Sequence, residues 1–131
     1  ALGSPAGTLT VMPFIEDMGR AYAECDLVIG RAGATTLAEL CAVGRPALLI
    51  PLPTATDDHQ TRNAQHLVQA GAAQLLPQGA TTPAALAQSL QALLGDPARL
   101  AQMARASHGL GRPQAAETIA DQILALPCAR R

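Results

Sequence analysis

An open α/β fold, a parallel sheet flanked by helices, is what this sequence predicts, and three observations carry that reading. Short apolar runs bounded by Gly, Pro or Asp alternate along the chain with stretches of helical spacing. That alternation builds βα units, in which a strand that returns through a helix re-enters the sheet in the same direction. The stretch RAGATTLAELCAVGRPALLIPLPTATDDHQ, from Arg31 to Gln60, then presents two strand-to-loop-to-helix junctions in succession. Junctions of this kind bring their polar residues to the C-terminal edge of the sheet, where ligands of open α/β folds bind.

The elements follow in order. TLTVMP at 8 to 13 reads as a first strand, and helical spacing follows over 17 to 25, where Met18, Ala21, Tyr22 and Cys25 fall on one face. DLVIG at 26 to 30 is the second strand. It runs into RAGA and a helix that opens at Thr35 or Thr36 and continues to 43, with Leu37, Leu40 and Cys41 inward. PALLIP at 46 to 51 is the third strand, and 58 to 70 a helix with Ala64, Leu67 and Val68 inward and Gly71 as its C-cap. AQLL at 73 to 76 is the fourth. Beyond it, Thr82-Pro83 and Asp96-Pro97 each read as an N-cap followed by proline at the first helical position. Leu86, Leu90, Leu93 and Leu94 give a further apolar stripe, and a last helix over 113 to 126 turns Ala116, Ile119, Ala120 and Ile123 toward the core. Four strands and a helical tail make the second part of a doubly wound domain. No Gly-rich loop precedes the first strand, and the opening ALGSPAG reads as loop interior, so we expect a piece of a longer protein.

Composition narrows the function. A length of 131 residues suits one domain, and 49% hydrophobic content supplies its core. No run of about 18 apolar residues is present to span a bilayer. The net charge is −1, every base is Arg, and the aromatic residues are Phe14 and Tyr22 alone. A basic stripe and stacking platforms are therefore missing, which argues against nucleic acid as a partner. Cys25, Cys41 and Cys128 form neither CxxC nor an even disulfide framework, as expected of a reducing, cytoplasmic compartment.

At the first junction, unpaired N–H groups and the positive end of a helix dipole would point at one place, which is where a phosphate sits. Gly33 is either a turn glycine with positive φ or the point where backbone must approach that phosphate. Arg31 either binds phosphate or pairs with an acid such as Asp26. Thr36 and Glu39 have the T-x-x-E spacing of a capping box, so Glu39 either closes that box or, with two oxygens suited to a cis-diol, accepts from ribose hydroxyls. Asp57 and Gln60 have the same double character. His59, a single loop histidine without metal-ligand spacing around it, does not suggest a metal site, and no motif in the chain pairs a nucleophile with a base. We expect a binding half, with no catalytic residue of its own and no cofactor.

FIEDM, RAGATTLAE and DDHQ-x-x-NA together, within the run from Val11 to Ala73, resemble the C-terminal domain of the bacterial family 28 glycosyltransferases. The members that the run resembles add N-acetylglucosamine to the lipid-linked muramyl-pentapeptide precursor of peptidoglycan, converting lipid I to lipid II. The resemblance implies a GT-B enzyme with two Rossmann-like domains, of which this chain is the partial donor-binding one: a parallel sheet with flanking helices and a helical tail over 82 to 131. It implies that Ile15 contacts uracil through its backbone and that Met18 flanks the nucleotide. It further implies that Ala34, Thr35, Thr36, Leu37 and Ala38 lie against the diphosphate and ribose beside Gly33, that Glu39 binds the ribose hydroxyls, and that His59 and Gln60 meet the sugar. The partners implied are UDP-N-acetylglucosamine, a lipid-linked acceptor held by an N-terminal domain absent from this chain, and the inner face of the cell membrane peripherally. Two rivals stand beside this reading. One is another UDP-sugar GT-B enzyme, such as a diacylglycerol glycosyltransferase or nucleotide-sugar hydrolase; the other is a nucleotide-sugar binding fragment without turnover.

Overall fold

The structure, a computed structural model, describes residues 7–53 and 58–126. Its elements run α1 Met18–Glu24, β1 Val28–Gly30, α2 Ala34–Val43, β2 Ala47–Leu49, α3 His59–Gln69, β3 Ala73–Leu75, a 3-10 turn Gln78–Ala80, α4 Pro83–Leu94, α5 Pro97–Leu110 and α6 Ala115–Leu124. The sheet has the order β1-β2-β3, and both pairings are parallel, with Ile29, Leu48 and Gln74 in register. Each successive pair is joined through a helix, as the alternation of apolar runs predicts.

Sequence period decides what each face covers. Ala47 and Leu49 of β2 join Tyr22, Leu37, Leu40, Cys41, Ala64 and Leu67 from α1, α2 and α3 in one core. Leu48, pointing the other way because side chains alternate along a strand, packs with Leu93 of α4 and Met103 of α5. Full burial of each such leucine contributes roughly 1.5–3 kcal/mol. Helix α5 joins the two layers, with Leu100 and Met103 beside Leu48 and with Ala106 and Leu110 against the first core. Its buried Ser107 hydroxyl donates to the Leu40 carbonyl at 3.3 Å. Burial pushes the Cys41 thiol above its ordinary value, opposed in part by Ser107, so Cys41 acts as a packing residue. Cys25 is also a free thiol; Cys128 lies outside the described residues.

Two helix starts follow the caps expected of them. Thr82 Oγ1 accepts from Ala85 N at 3.1 Å and Asp96 Oδ1 from Arg99 N at 2.9 Å, each with proline following. Ala70 is the C-cap of α3, one residue before the predicted Gly71, which takes the left-handed conformation after it.

Four expectations are corrected. Residues 8–13 are not a strand: Val11 is 85% exposed, and no strand among the described residues lies beside the segment to take up its backbone hydrogen bonds. Alternation alone does not make a strand without a neighbour. The apolar face of α6 does not reach the core either, since Ile119 and Ile123 are 55% and 61% exposed and no residue of that helix is buried. Leu94 and Val68 are exposed as well, because α4 and α3 bury narrower faces, centred on Leu93 and on Ala64 and Leu67.

Gly44 ends α2 with φ +70, and a Cβ there would stand 3.0 Å from His108 Cβ and 3.4 Å from the Ala104 carbonyl of α5. Gly71 has φ +76 with open space around it. Gly44→Ala is therefore expected to lower unfolding free energy by about 1–3 kcal/mol through strain and crowding together. Gly71→Ala should lose only the strain. Urea denaturation compares them, and equal losses would show that α5 yields freely to the added methyl.

Candidate functional site

The C-terminal ends of β1 and β2 open onto two loops that are tied to each other. Arg31, immediately after β1, donates through Nη1 to the Ile50 and Pro51 carbonyls at 3.0 and 3.2 Å and to Gln78 Oε1 at 2.6 Å. Among the described residues it pairs with no acid; through Nη1 it fastens the exits of β1 and β2 to the turn after β3, and no group accepts from its Nε or Nη2. Asn63 Nδ2 on α3 donates to the Ala32 carbonyl at 3.1 Å, fixing the first loop from the other side. These tethers escape a sequence reading because their partners lie 19 to 47 residues away.

Helix α2 starts at Ala34, earlier than the Thr35 or Thr36 expected, with Gly33 as its N-cap and no side-chain cap. The Gly33 carbonyl accepts from Leu37 N at 3.0 Å. Among the described residues no group accepts from the N–H groups of Ala34, Thr35 or Thr36, and that end of the helix carries the positive pole of its dipole. Gly33 has φ −67, so the positive-φ reading fails. A Cβ there would meet nothing closer than Thr36 Oγ1 at 3.9 Å, so the fold itself does not require glycine. Ala34, Thr35 and Ala38 are exposed and Thr36 is half-buried, whereas the Leu37 side chain belongs to the core.

With Thr36 inside the helix, the Thr36–Glu39 capping box does not form. Glu39 is exposed, and its Oε2 accepts from the Tyr22 hydroxyl of α1 at 3.2 Å. Burial, and then the neighbouring Glu39, push the Tyr22 phenol above its ordinary value, so the hydroxyl stays protonated at neutral pH. Spacing marked Tyr22 as an inward residue; nothing local signalled its carboxylate partner.

At the second loop, Gln60 Oε1 accepts from Leu52 N at 2.9 Å, holding the chain as it leaves β2. His59 is exposed at the first turn of α3, whose N-cap Asp58 has φ +56 and makes no side-chain cap. The expected Asp57–Gln60 cap involves Asp57, which lies outside the described residues. Met18, one turn before Tyr22, lies on the same face of α1, and Ile15 is partly exposed in the irregular segment preceding that helix. A cavity of about 280 Å³ opens between α2 and α3 at Ala34, Leu37 and Asn63. A larger one, about 440 Å³, lies among Asp26, Arg45, Pro46 and Leu100 and shares no residue with these loops.

Chemically, amides unspent at a helix N-terminus suit an anion such as a diphosphate, and a carboxylate one turn further suits a diol. Solved structures similar to this fold include glycosyltransferases. Acinetobacter baumannii MurG superposes with TM-score 0.85 at 42% identity, over 91% of this chain and 34% of that one. The glycotransferase of kitacinnamycin superposes with TM-score 0.63 at 26% identity, over 93% of this chain and 32% of that one. The class is thus the GT-B glycosyltransferases.

Within that class, the profile of the glycosyltransferase family 28 C-terminal domain matches residues 3–120, and the chain belongs to that family. Among curated relatives, the UDP-N-acetylglucosamine–N-acetylmuramyl-(pentapeptide) pyrophosphoryl-undecaprenol N-acetylglucosamine transferase of Xanthomonas axonopodis pv. citri is 58% identical over 115 residues, 88% of this chain and 27% of that protein. The chain thus spans only 27% of that relative and 34% of the Acinetobacter protein.

Proposed function

We propose that this chain is the donor-holding part, residues 1–131 with a helical tail from 82, of an inverting transferase. The reaction is transfer of N-acetylglucosamine from UDP-N-acetylglucosamine to lipid-linked muramyl-pentapeptide, at the cytoplasmic face of the membrane. An N-terminal domain outside this chain would hold the acceptor. The observation that carries the reading is the uncapped N-terminus of α2 standing one turn from an exposed Glu39 that closes no capping box. The names of the similar transferases supply the particular sugar and acceptor. Contact with the membrane is proposed to be peripheral; among the described residues no helix is long and apolar enough to cross one.

In the reaction, a hydroxyl of the acceptor sugar attacks the anomeric carbon and UDP departs. Negative charge grows on the diphosphate as that bond breaks, and the N–H groups of Ala34, Thr35 and Thr36, with the α2 dipole, oppose it without reorganising. Gly33 leaves room for the phosphates, and Glu39 takes the ribose hydroxyls. Ile15 and Met18 lie toward the base. His59 and Gln60 face the sugar from the second loop.

The test is to titrate the intact transferase carrying this chain with UDP and UDP-N-acetylglucosamine, and to assay transfer to the lipid-linked acceptor. Saturable binding of both and formation of the disaccharide product are expected; no binding of either nucleotide would end the proposal. Gln60→Ala divides the site. It should weaken UDP-N-acetylglucosamine about three- to tenfold, as loss of a sugar hydrogen bond would, and leave UDP nearly unchanged. Equal loss for both would mean that releasing Leu52 N disorders the whole site.

A further inference from the structure

We infer that Tyr22 is a positioning residue for Glu39: its buried ring fixes a hydroxyl that holds one carboxylate oxygen and presents the other to the ribose of a uridine nucleotide. The inference rests on the proposed role of Glu39 and adds to it the group that orients the carboxylate. Glu39 needs such a partner. It is exposed on α2, and a glutamate there samples several rotamers, all but one of which must be given up when a ligand binds.

Tyr22 is placed to remove that freedom. Its side chain is 7% exposed and belongs to the same core as Leu37 and Leu40, which flank Glu39 on α2. The hydroxyl emerges from that core 3.2 Å from Glu39 Oε2. Among the described residues no other group donates to this carboxylate, so Oε1 stays available. The anchor and the carboxylate sit on different helices. The contact therefore also ties α1, whose first turn carries Met18, to the helix that would hold the diphosphate. A phenylalanine would fill the core equally well but could not hold the carboxylate. A packing role and a positioning role can therefore be told apart.

The experiment uses the intact transferase with Tyr22→Phe, Glu39→Ala and the double substitution, each titrated with UDP and with 2′-deoxy-UDP, alongside melting of the ligand-free proteins. Tyr22→Phe is expected to weaken UDP by about three- to tenfold, the worth of one hydrogen bond. It should weaken 2′-deoxy-UDP less, so that the preference for the ribonucleotide shrinks. In the Glu39→Ala background the same change should do nothing further. If Glu39→Ala loses UDP affinity while Tyr22→Phe changes neither affinity nor preference, the positioning role is overturned and the site stands. If both nucleotides weaken equally, and do so again in the Glu39→Ala background, Tyr22 serves packing and the inference also fails. If Glu39→Ala itself binds UDP normally, the ribose role of Glu39 falls first and this inference with it.

Discussion

Glu39→Ala in the intact transferase is expected to weaken UDP binding by about ten- to a hundredfold, because charge-assisted hydrogen bonds to ribose hydroxyls are worth roughly 1.5–3 kcal/mol. Stability should hardly change. The capping box that would make Glu39 structural is not formed, since Thr36 lies inside α2 and Gly33 caps the helix. The carboxylate meets a hydroxyl of α1 and otherwise faces solvent. Glu39→Gln is the finer probe. Its amide oxygen can still accept from Tyr22, but the charge that would strengthen the proposed contacts to the ribose hydroxyls is gone. We expect this variant to keep its melting temperature and lose most of its UDP affinity. Normal calorimetric binding of UDP by Glu39→Gln would refute the assignment.

Gly33→Ala is expected to separate fold from function still more sharply. With φ −67 and only Thr36 Oγ1 near the new methyl, at 3.9 Å, alanine fits the ligand-free chain. Folding stability should stay level or rise by about 0.4–1 kcal/mol, because alanine restricts the unfolded chain more than glycine does. The methyl would nevertheless stand beside the N–H groups of Ala34 to Thr36, where the diphosphate is proposed to lie. Displacing a phosphate from one such charge-assisted bond costs about 1.5–3 kcal/mol, again roughly ten- to a hundredfold in affinity. Thermal melting and UDP titration on the same preparation check both halves. Wild-type affinity would mean that the diphosphate does not approach Gly33.

Much of the fold was legible because its signals are local. Thr82-Pro83 and Asp96-Pro97 place two helix starts within a residue, since a cap and its N–H partner are three residues apart. The runs DLVIG, PALLIP and AQLL contain the three strands, and βα alternation makes them parallel. TLTVMP misleads for the same reason that it persuades. Its alternation states a preference for extended backbone, whereas a strand also requires a neighbour, and none among the described residues lies beside it. Ile119 and Ile123 likewise declare an apolar face of α6 without saying what covers it.

The sequence by itself determined the three described strands and the helices between them, two helix starts at Thr82 and Asp96, and Gly33, Glu39, His59 and Gln60 as candidates on the segments that follow β1 and β2. It also carried the family resemblance, through three short motifs in a single run. Tertiary structure decided what those residues are free to do. Arg31, a phosphate candidate by position, gives one nitrogen to the Ile50 and Pro51 carbonyls and Gln78; Glu39, a capping candidate by spacing, is released from that role and meets Tyr22 from another helix. Spacing along a chain fixes which groups can meet within one turn, but a side chain's partner is the group that packing brings nearest, and packing joins residues far apart in sequence.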